Sequence, residues 1–146
     1  MINLDVDDSI GQLLGRTTRA MASAMQANFS SAGYDITVEQ WTILVNLWRQ
    51  NGQFQKQLAE NTYRDKASVT RLVNGLEQRN LVVRVPDEAD QRRNKIYLTK
   101  KGKELQDKLI PLAVETITDA GRGIRKEHLK IFKAVLVQLH SNVAAE

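Results

Sequence analysis

A chain of 146 residues with 42% apolar and 26% charged residues has the size and make-up of one globular domain. It holds no cysteine, which excludes a disulfide framework, a thiolate zinc cluster, a cysteine nucleophile and sensing by thiol oxidation. The net charge of +4 is mild, but residues 49–103 carry 13 Lys and Arg against 6 Asp and Glu while the flanks are net acidic, the footprint of a polyanion-binding middle.

The opening MINLDVDDS is acidic where a signal peptide is basic. No apolar run approaches the roughly 18 residues that cross a bilayer. The expected compartment is therefore the cytoplasm, with no membrane partner. From Asp7 to Ser31, Ile10, Leu13, Leu14, Met21, Met25 and Phe29 recur at helical spacing. Asp5, Asp7 and Asp8 stand where carboxylates favour the helix dipole, and Gly33 closes the segment. Such a rod is roughly 37 Å long, which suggests a partner surface.

A second helix starts at Thr37, which forms a capping-box pattern with Gln40. Trp41, Leu44, Val45, Leu47 and Trp48 give its buried stripe, and Asn51-Gly52 ends it. A short helix follows over 56–61. After a break, Asp65 caps a helix to about Arg79 with Val69, Leu72, Val73 and Leu76 on its inner face. The period then changes to two. Leu81, Val83 and Val85 alternate with Val82 and Arg84, Pro86 stops the strand, and Ile96 and Leu98 alternate with Lys95 and Tyr97 on the way back. Thr99 caps a long helix with its kink expected at Pro111. Gly121 and Gly123 precede a last helix carrying Leu129, Phe132, Val135, Leu136, Leu139 and Val143.

A short helix, a turn, a second helix and then a hairpin is the order of a winged helix-turn-helix, whose second helix enters the major groove. The fold class is thus mainly α with a small β-hairpin. At 100° per residue, Ala67, Arg71, Asn74 and Gln78 lie opposite the buried face, flanked by Ser68 and Thr70, with Lys66 at the helix start. These side chains are small, basic or hydrogen-bonding and free of acids. Arginine can read guanine bidentately, and asparagine can read adenine. The polar loop 87–94 runs from Asp87, Glu88 and Asp90 to Arg92, Arg93 and Lys95. A basic loop tip can enter a narrow minor groove, and an Asp90–Arg92 pair would stiffen it.

Leu81–Arg84, then Asp87, Asp90, Arg92 and the run Tyr97-Leu98-Thr99-Lys100-Lys101-Gly102 resemble the wing and following helix start of the MarR family, the multiple-antibiotic-resistance regulators of bacteria and archaea. The resemblance extends over nearly the whole chain. It implies a homodimer with terminal dimerisation helices over 1–33 and 103–146, a DNA-binding lobe over 34–102, and an inverted-repeat operator in double-stranded DNA. It makes Arg92 the wing arginine and places Ser68, Thr70 and Arg71 on the recognition helix. Two residues depart from the family pattern. Asn80 replaces the usual glycine after that helix, and Gly75 sits inside it, where it could admit a close neighbour.

Ile10, Leu14, Leu129, Phe132, Leu136, Leu139 and Val143 are the candidate dimer residues, because their stripe would be exposed on a lone subunit. Trp41 and Trp48 share one face of the second helix, where core packing is the simplest role. The resemblance adds a small aromatic ligand, bound by some members in a cleft that helices one, two and five would line. His128 and His140 are twelve residues apart on one helix and cannot jointly hold a metal. No catalytic, phosphate-loop or zinc motif is present, so no enzyme, cofactor or metal is expected. The reading is a DNA-binding transcriptional regulator, most often a repressor in this family. The alternative of another class is a helical protein-interaction adaptor that uses a winged fold without DNA.

Overall fold

The computed structural model describes residues 9–144. Helix α1 spans Ile10–Ser31, α2 Val38–Arg49, α3 Gln55–Thr62 and α4 Lys66–Gln78. Strand β1 is Gln53–Phe54, β2 Val82–Pro86 and β3 Asn94–Leu98. Helices α5 (Lys100–Glu104), α6 (Gln106–Ala120) and α7 (Lys126–Val143) complete the chain.

Helix α1 starts later than its periodicity suggested. Ser9 is the N-cap, accepting from the Gln12 amide at 3.3 Å, and Asp5, Asp7 and Asp8 lie outside the described residues. Gln26 fastens the α1–α2 connection: its Nε2 donates to the Ile36 carbonyl at 2.8 Å and its Oε1 accepts from the Val38 amide at 3.1 Å. Further along, Asn28 donates to the Thr116 hydroxyl at 2.7 Å and ties α1 to α6. The capping box of α2 is formed as expected, with Thr37 and Gln40 exchanging both bonds. The buried centre of α2 is Ile43, Leu44 and Leu47, while Trp41, Val45 and Trp48 are only half-buried at its edge. Ile43 was missing from the predicted stripe.

The core joins Phe29 of α1, the α2 centre, Leu58, Val69, Val73, Leu76, Val82, Ile96 and Leu109. Each helix contributes the face that its apolar spacing marks, and burying large apolar side chains contributes about 1.5–3 kcal/mol apiece. Gly75 brings α4 against α2: a Cβ there would lie 2.8 Å from Gln40 Nε2. Gly102 does the same for α5, since a Cβ would overlap the Leu81 carbonyl. Asn80 adopts the left-handed conformation, φ 58°, in the position where glycine is usual.

The sheet has three strands, not the two of a bare hairpin, in the antiparallel order β1-β3-β2. Strand β1 pairs Gln53 with Ile96 and Phe54 with Lys95. Gln53 is buried but satisfied: its Nε2 donates to the Asn46 and Gln50 carbonyls, and its Oε1 accepts from Asn61. Strand β2 does not bury its wholly apolar phase. Val82 and Arg84 point inward, whereas Val83 and Val85 face solvent, and Leu81 is buried from the turn before the strand. The phase of Val83 and Val85 is wholly apolar and that of Val82 and Arg84 is mixed, so alternation points to the wrong face; the packing of Val82 on the core sets the inner one.

The one long helix predicted after Thr99 is divided in two. The helix is interrupted at Leu105, and Pro111 lies inside α6. Helix α7 buries none of its residues. Among the described residues, no helix is long and apolar enough to cross a membrane.

Candidate nucleic-acid interface

The α4 N-terminus is built around Asp65. Its carboxylate accepts from the Ser68 amide at 2.7 Å and from the Ser68 hydroxyl at 3.0 Å. Arg71 in turn donates to Ser68 Oγ at 3.2 Å. The two Ser68 bonds, with the Arg71 charge behind them, hold the Asp65 carboxyl below its ordinary value. The acid at the start of this helix face is thus occupied by the helix itself, and Glu77, near its end, pairs with Arg84 at 3.1 Å. Lys66, Ala67, Arg71, Asn74 and Gln78 are exposed in one stripe, and Ser68 and Thr70 are half-exposed at its edge. Thr70 is engaged within the fold: it accepts from Gln55 Nε2 at 2.6 Å and donates to the Lys66 carbonyl at 2.9 Å. That leaves Lys66 and Arg71 as the long basic side chains on the outer face.

The wing is a closed turn. The Asp87 amide donates to the Arg93 carbonyl at 2.8 Å, and the Arg93 amide to the Asp90 carbonyl at 3.0 Å. Asp90 Oδ1 accepts from both the backbone amide and Nε of Arg92, at 3.1 and 3.2 Å. The Arg92 side chain is 92% exposed all the same, so its free guanidinium nitrogens project from the loop. Arg93 lies over the Phe54 ring at 3.8 Å, and Lys95 Nζ sits 5.2 Å from the same ring. The register explains this, since Phe54 pairs with Lys95 and residues two apart on a strand share a face. Phe54, Gln55, Lys56, Lys66, Arg92, Arg93 and Asn94 border one open basic cleft of about 220 Å³. Lys66, Arg92, Arg93 and Lys95 therefore meet on one surface beside the Arg71 stripe.

Sequence reasoning missed three contributors to that surface. Phe54 and Gln55 belong to the unrecognised β1 and the first turn of α3, and Lys56 was read only as a helix start. The sequence marks Arg84 only as a strand residue, yet its guanidinium reaches α4, with Nη2 2.6 Å from Asn74 Oδ1 and Nη1 3.1 Å from Glu77 Oε1.

A second cavity, of about 280 Å³, is lined by Trp41, Val45, Trp48 and Arg49 of α2 and by Gln106, Ile110, Ala113, Val114 and Ile117 of α6. The Trp41 and Trp48 rings meet edge-on at 5.5 Å, and Trp48 Nε1 donates to the Gly102 carbonyl at 3.0 Å. Helix α1 does not line this cavity as expected; its Phe29 packs behind Trp41 at 5.4 Å instead. On α7, Leu129, Leu136 and Leu139 are half-buried, and Phe132 and Val143 are exposed, as are Ile131, Val135 and Val137. On α1, Ile10 is exposed and Leu14 half-buried. His128 lies 2.7 Å from Arg125 and His140 packs edge-on to Tyr63 at 5.0 Å. Among the described residues, no group of three or more His, Asp or Glu could hold a metal ion.

Residues 36–93, from the start of α2 to the wing, match the MarR family. Over that stretch the chain is similar to MarR-family proteins. The relatives and solved structures that it resembles are transcriptional regulators. It is similar to the HTH-type transcriptional regulator YybA of Bacillus subtilis, 26% identical over 130 residues, which is 89% of this chain and 85% of that one. Its fold is similar to a probable transcriptional regulator from Pseudomonas aeruginosa, with 28% identity, a TM-score of 0.82, and 92% and 98% of the two chains covered. It is similar too to CouR from Rhodococcus jostii RHA1 bound to p-coumaroyl-CoA, with 25% identity, a TM-score of 0.81, and 96% and 97% covered.

Proposed function

We propose that this MarR-family chain is a cytoplasmic, homodimeric repressor that binds an inverted-repeat operator and is released by a small aromatic ligand. The observation that carries the DNA reading is the α4 stripe of Lys66, Ala67, Arg71 and Asn74, free of any unengaged acid and continuous with the basic wing. Arg71 reads a base in the major groove, with Lys66, Ala67, Ser68, Thr70 and Asn74 fixing the approach. Arg92 enters the minor groove on a loop stiffened by Asp90, and Arg93 and Lys95 take backbone phosphates. The terminal segments 1–33 and 103–146 form the dimer around Ile10, Leu14, Leu129, Phe132, Leu136, Leu139 and Val143, and segment 34–102 is the DNA-binding lobe. The apolar exposure of α7 supports this, because such a face is covered in a stable assembly. The ligand site is the cavity at Trp41 and Trp48, where apolar walls suit an aromatic ring and Arg49 suits its carboxylate.

Selection of bound duplexes from a random pool tests the reading. An inverted repeat is expected, with affinity falling steeply as salt rises. Failure to enrich any duplex, together with capture of a folded protein partner, would establish the adaptor alternative instead.

A further inference from the structure

Arg84 stands on β2, only one-fifth exposed, and lays its guanidinium along one stripe of α4. The stripe is Thr70, Asn74 and Glu77, spaced four and three residues apart and therefore in line on a helix. Nη2 donates to Asn74 Oδ1 at 2.6 Å, with a longer approach of 3.4 Å to the Thr70 carbonyl, while Nη1 donates to Glu77 Oε1 at 3.1 Å. A guanidinium has five donors and no acceptor. The Asn74 amide must turn its oxygen toward Arg84, and its nitrogen toward the open side of the helix.

Bidentate reading of adenine requires an asparagine to donate to N7 and to accept from the N6 amino group. Here the acceptor half is already taken by a short, charge-assisted bond. The oxygen retains a second lone pair, but a base amino group reaching it would meet the N–H groups and positive charge of the guanidinium. What residue 74 offers the groove is an amide nitrogen with two donors. Guanine answers two donors with its N7 and O6 acceptors, whereas adenine offers one acceptor and one clashing donor.

We propose that Arg84 is a positioning residue that makes Asn74 a donor-only reader, so that the protein selects guanine over adenine at the base pair facing residue 74. This reverses the adenine preference that the residue type alone suggests, and it rests on α4 being the DNA-facing helix. The ion pair to Glu77 holds the guanidinium in place, and the wing strand thereby sets the chemistry read by the recognition helix.

The test is duplex selection from a random pool with the full-length wild type and with Asn74→Ala, Arg84→Met and Arg84→Lys. The position that Asn74→Ala relaxes identifies the base pair in question. Wild type is expected to prefer guanine there by about 5- to 150-fold, the range of one bidentate pair. Arg84→Met is expected to move that same position toward adenine while leaving the Arg71 position unchanged. Arg84→Lys, which keeps a cationic donor, is expected to hold guanine. Adenine at that position in wild type overturns the proposal, and this needs only wild type and the surface variant Asn74→Ala. Guanine retained by Arg84→Met, an even loss of preference at every position, or no position relaxed by Asn74→Ala overturns it too. If wild type enriches no duplex at all, it is the DNA-binding reading that fails.

Discussion

Two arginines on this surface differ in how the fold holds them. Arg71 is tethered through Ser68 to the Asp65 cap, in the middle of an exposed helix face. The Arg92 side chain is held through Nε, to Asp90, at the tip of a loop. Arg71→Ala should therefore cost about 1–3 kcal/mol on the selected operator and relax preference at one base pair. Arg92→Ala should instead weaken most sequences together and reduce the salt slope by about 1, because the minor groove discriminates coarsely. Affinity measured over a salt series on cognate and scrambled duplexes separates the two. Asp65 gives a pH prediction. Its carboxyl titrates below its ordinary value of 3.8 in the folded protein. The stability it contributes is complete above that ordinary value and is lost as pH falls through the lower folded value. Asp65→Asn, which keeps an acceptor for the Ser68 amide, should flatten the acid limb of thermal melts taken from pH 6 to pH 2. An unchanged acid limb would show that the cap carboxylate is not linked to folding.

At the level of elements, the helices were legible and the sheet less so. Thr37 with Gln40 and Asp65 with Ser68 are local signals, each complete within four residues, and the structure forms both caps. Strand β1 has only two residues, too few for any period to register, and it exists because Gln53 and Phe54 pair with β3 far along the chain. The inner phase of β2 was illegible for a similar reason, since only contact with the core distinguishes Val82 from Val83. The site followed the same division. The α4 stripe could be read from its own spacing, but Phe54 under Arg93 and Arg84 against Asn74 depend on strand register. One element junction was visible as a glycine but not as a contact. Gly102 lets the first turn of α5 close on Leu81, whose carbonyl also accepts from the Thr99 amide at 3.0 Å, and it passes its own carbonyl to Trp48. Gly102→Ala should therefore lower stability by about 1–3 kcal/mol through overpacking, although alanine is the better helix former. Chemical denaturation of the two proteins measures this.

For the whole molecule, α7 poses the controlling question. An isolated helix of its 18 residues is marginal in water, and most helical stability comes from packing an apolar face. Yet α7 buries no residue against its own subunit, and Phe132 is 50% and Val143 84% exposed. A second copy supplying the missing surface satisfies both facts. Light scattering at micromolar concentration should give twice the chain mass of 16.5 kDa. Phe132→Lys should shift it toward one chain and weaken operator binding, because each half-site then loses its linked partner. The proposed assembly would also tie the Trp41–Trp48 cavity to DNA release. One wall of that cavity is α6, which carries α7, and the other is α2, which packs on α4 through Gln40 and Gly75. On this proposal a ligand wedged between them would change the angle between dimer and winged lobe, and would act only by binding the DNA-incompatible angle more tightly. A difference of 1–3 kcal/mol would weaken operator binding by about 5- to 150-fold. Titrating a panel of aromatic acids should quench tryptophan fluorescence and release operator over the same concentration range. Quenching without release would mean that the cavity binds the ring equally in both arrangements. Release that survives Trp41→Leu with Arg49→Ala would move the ligand site elsewhere in the molecule.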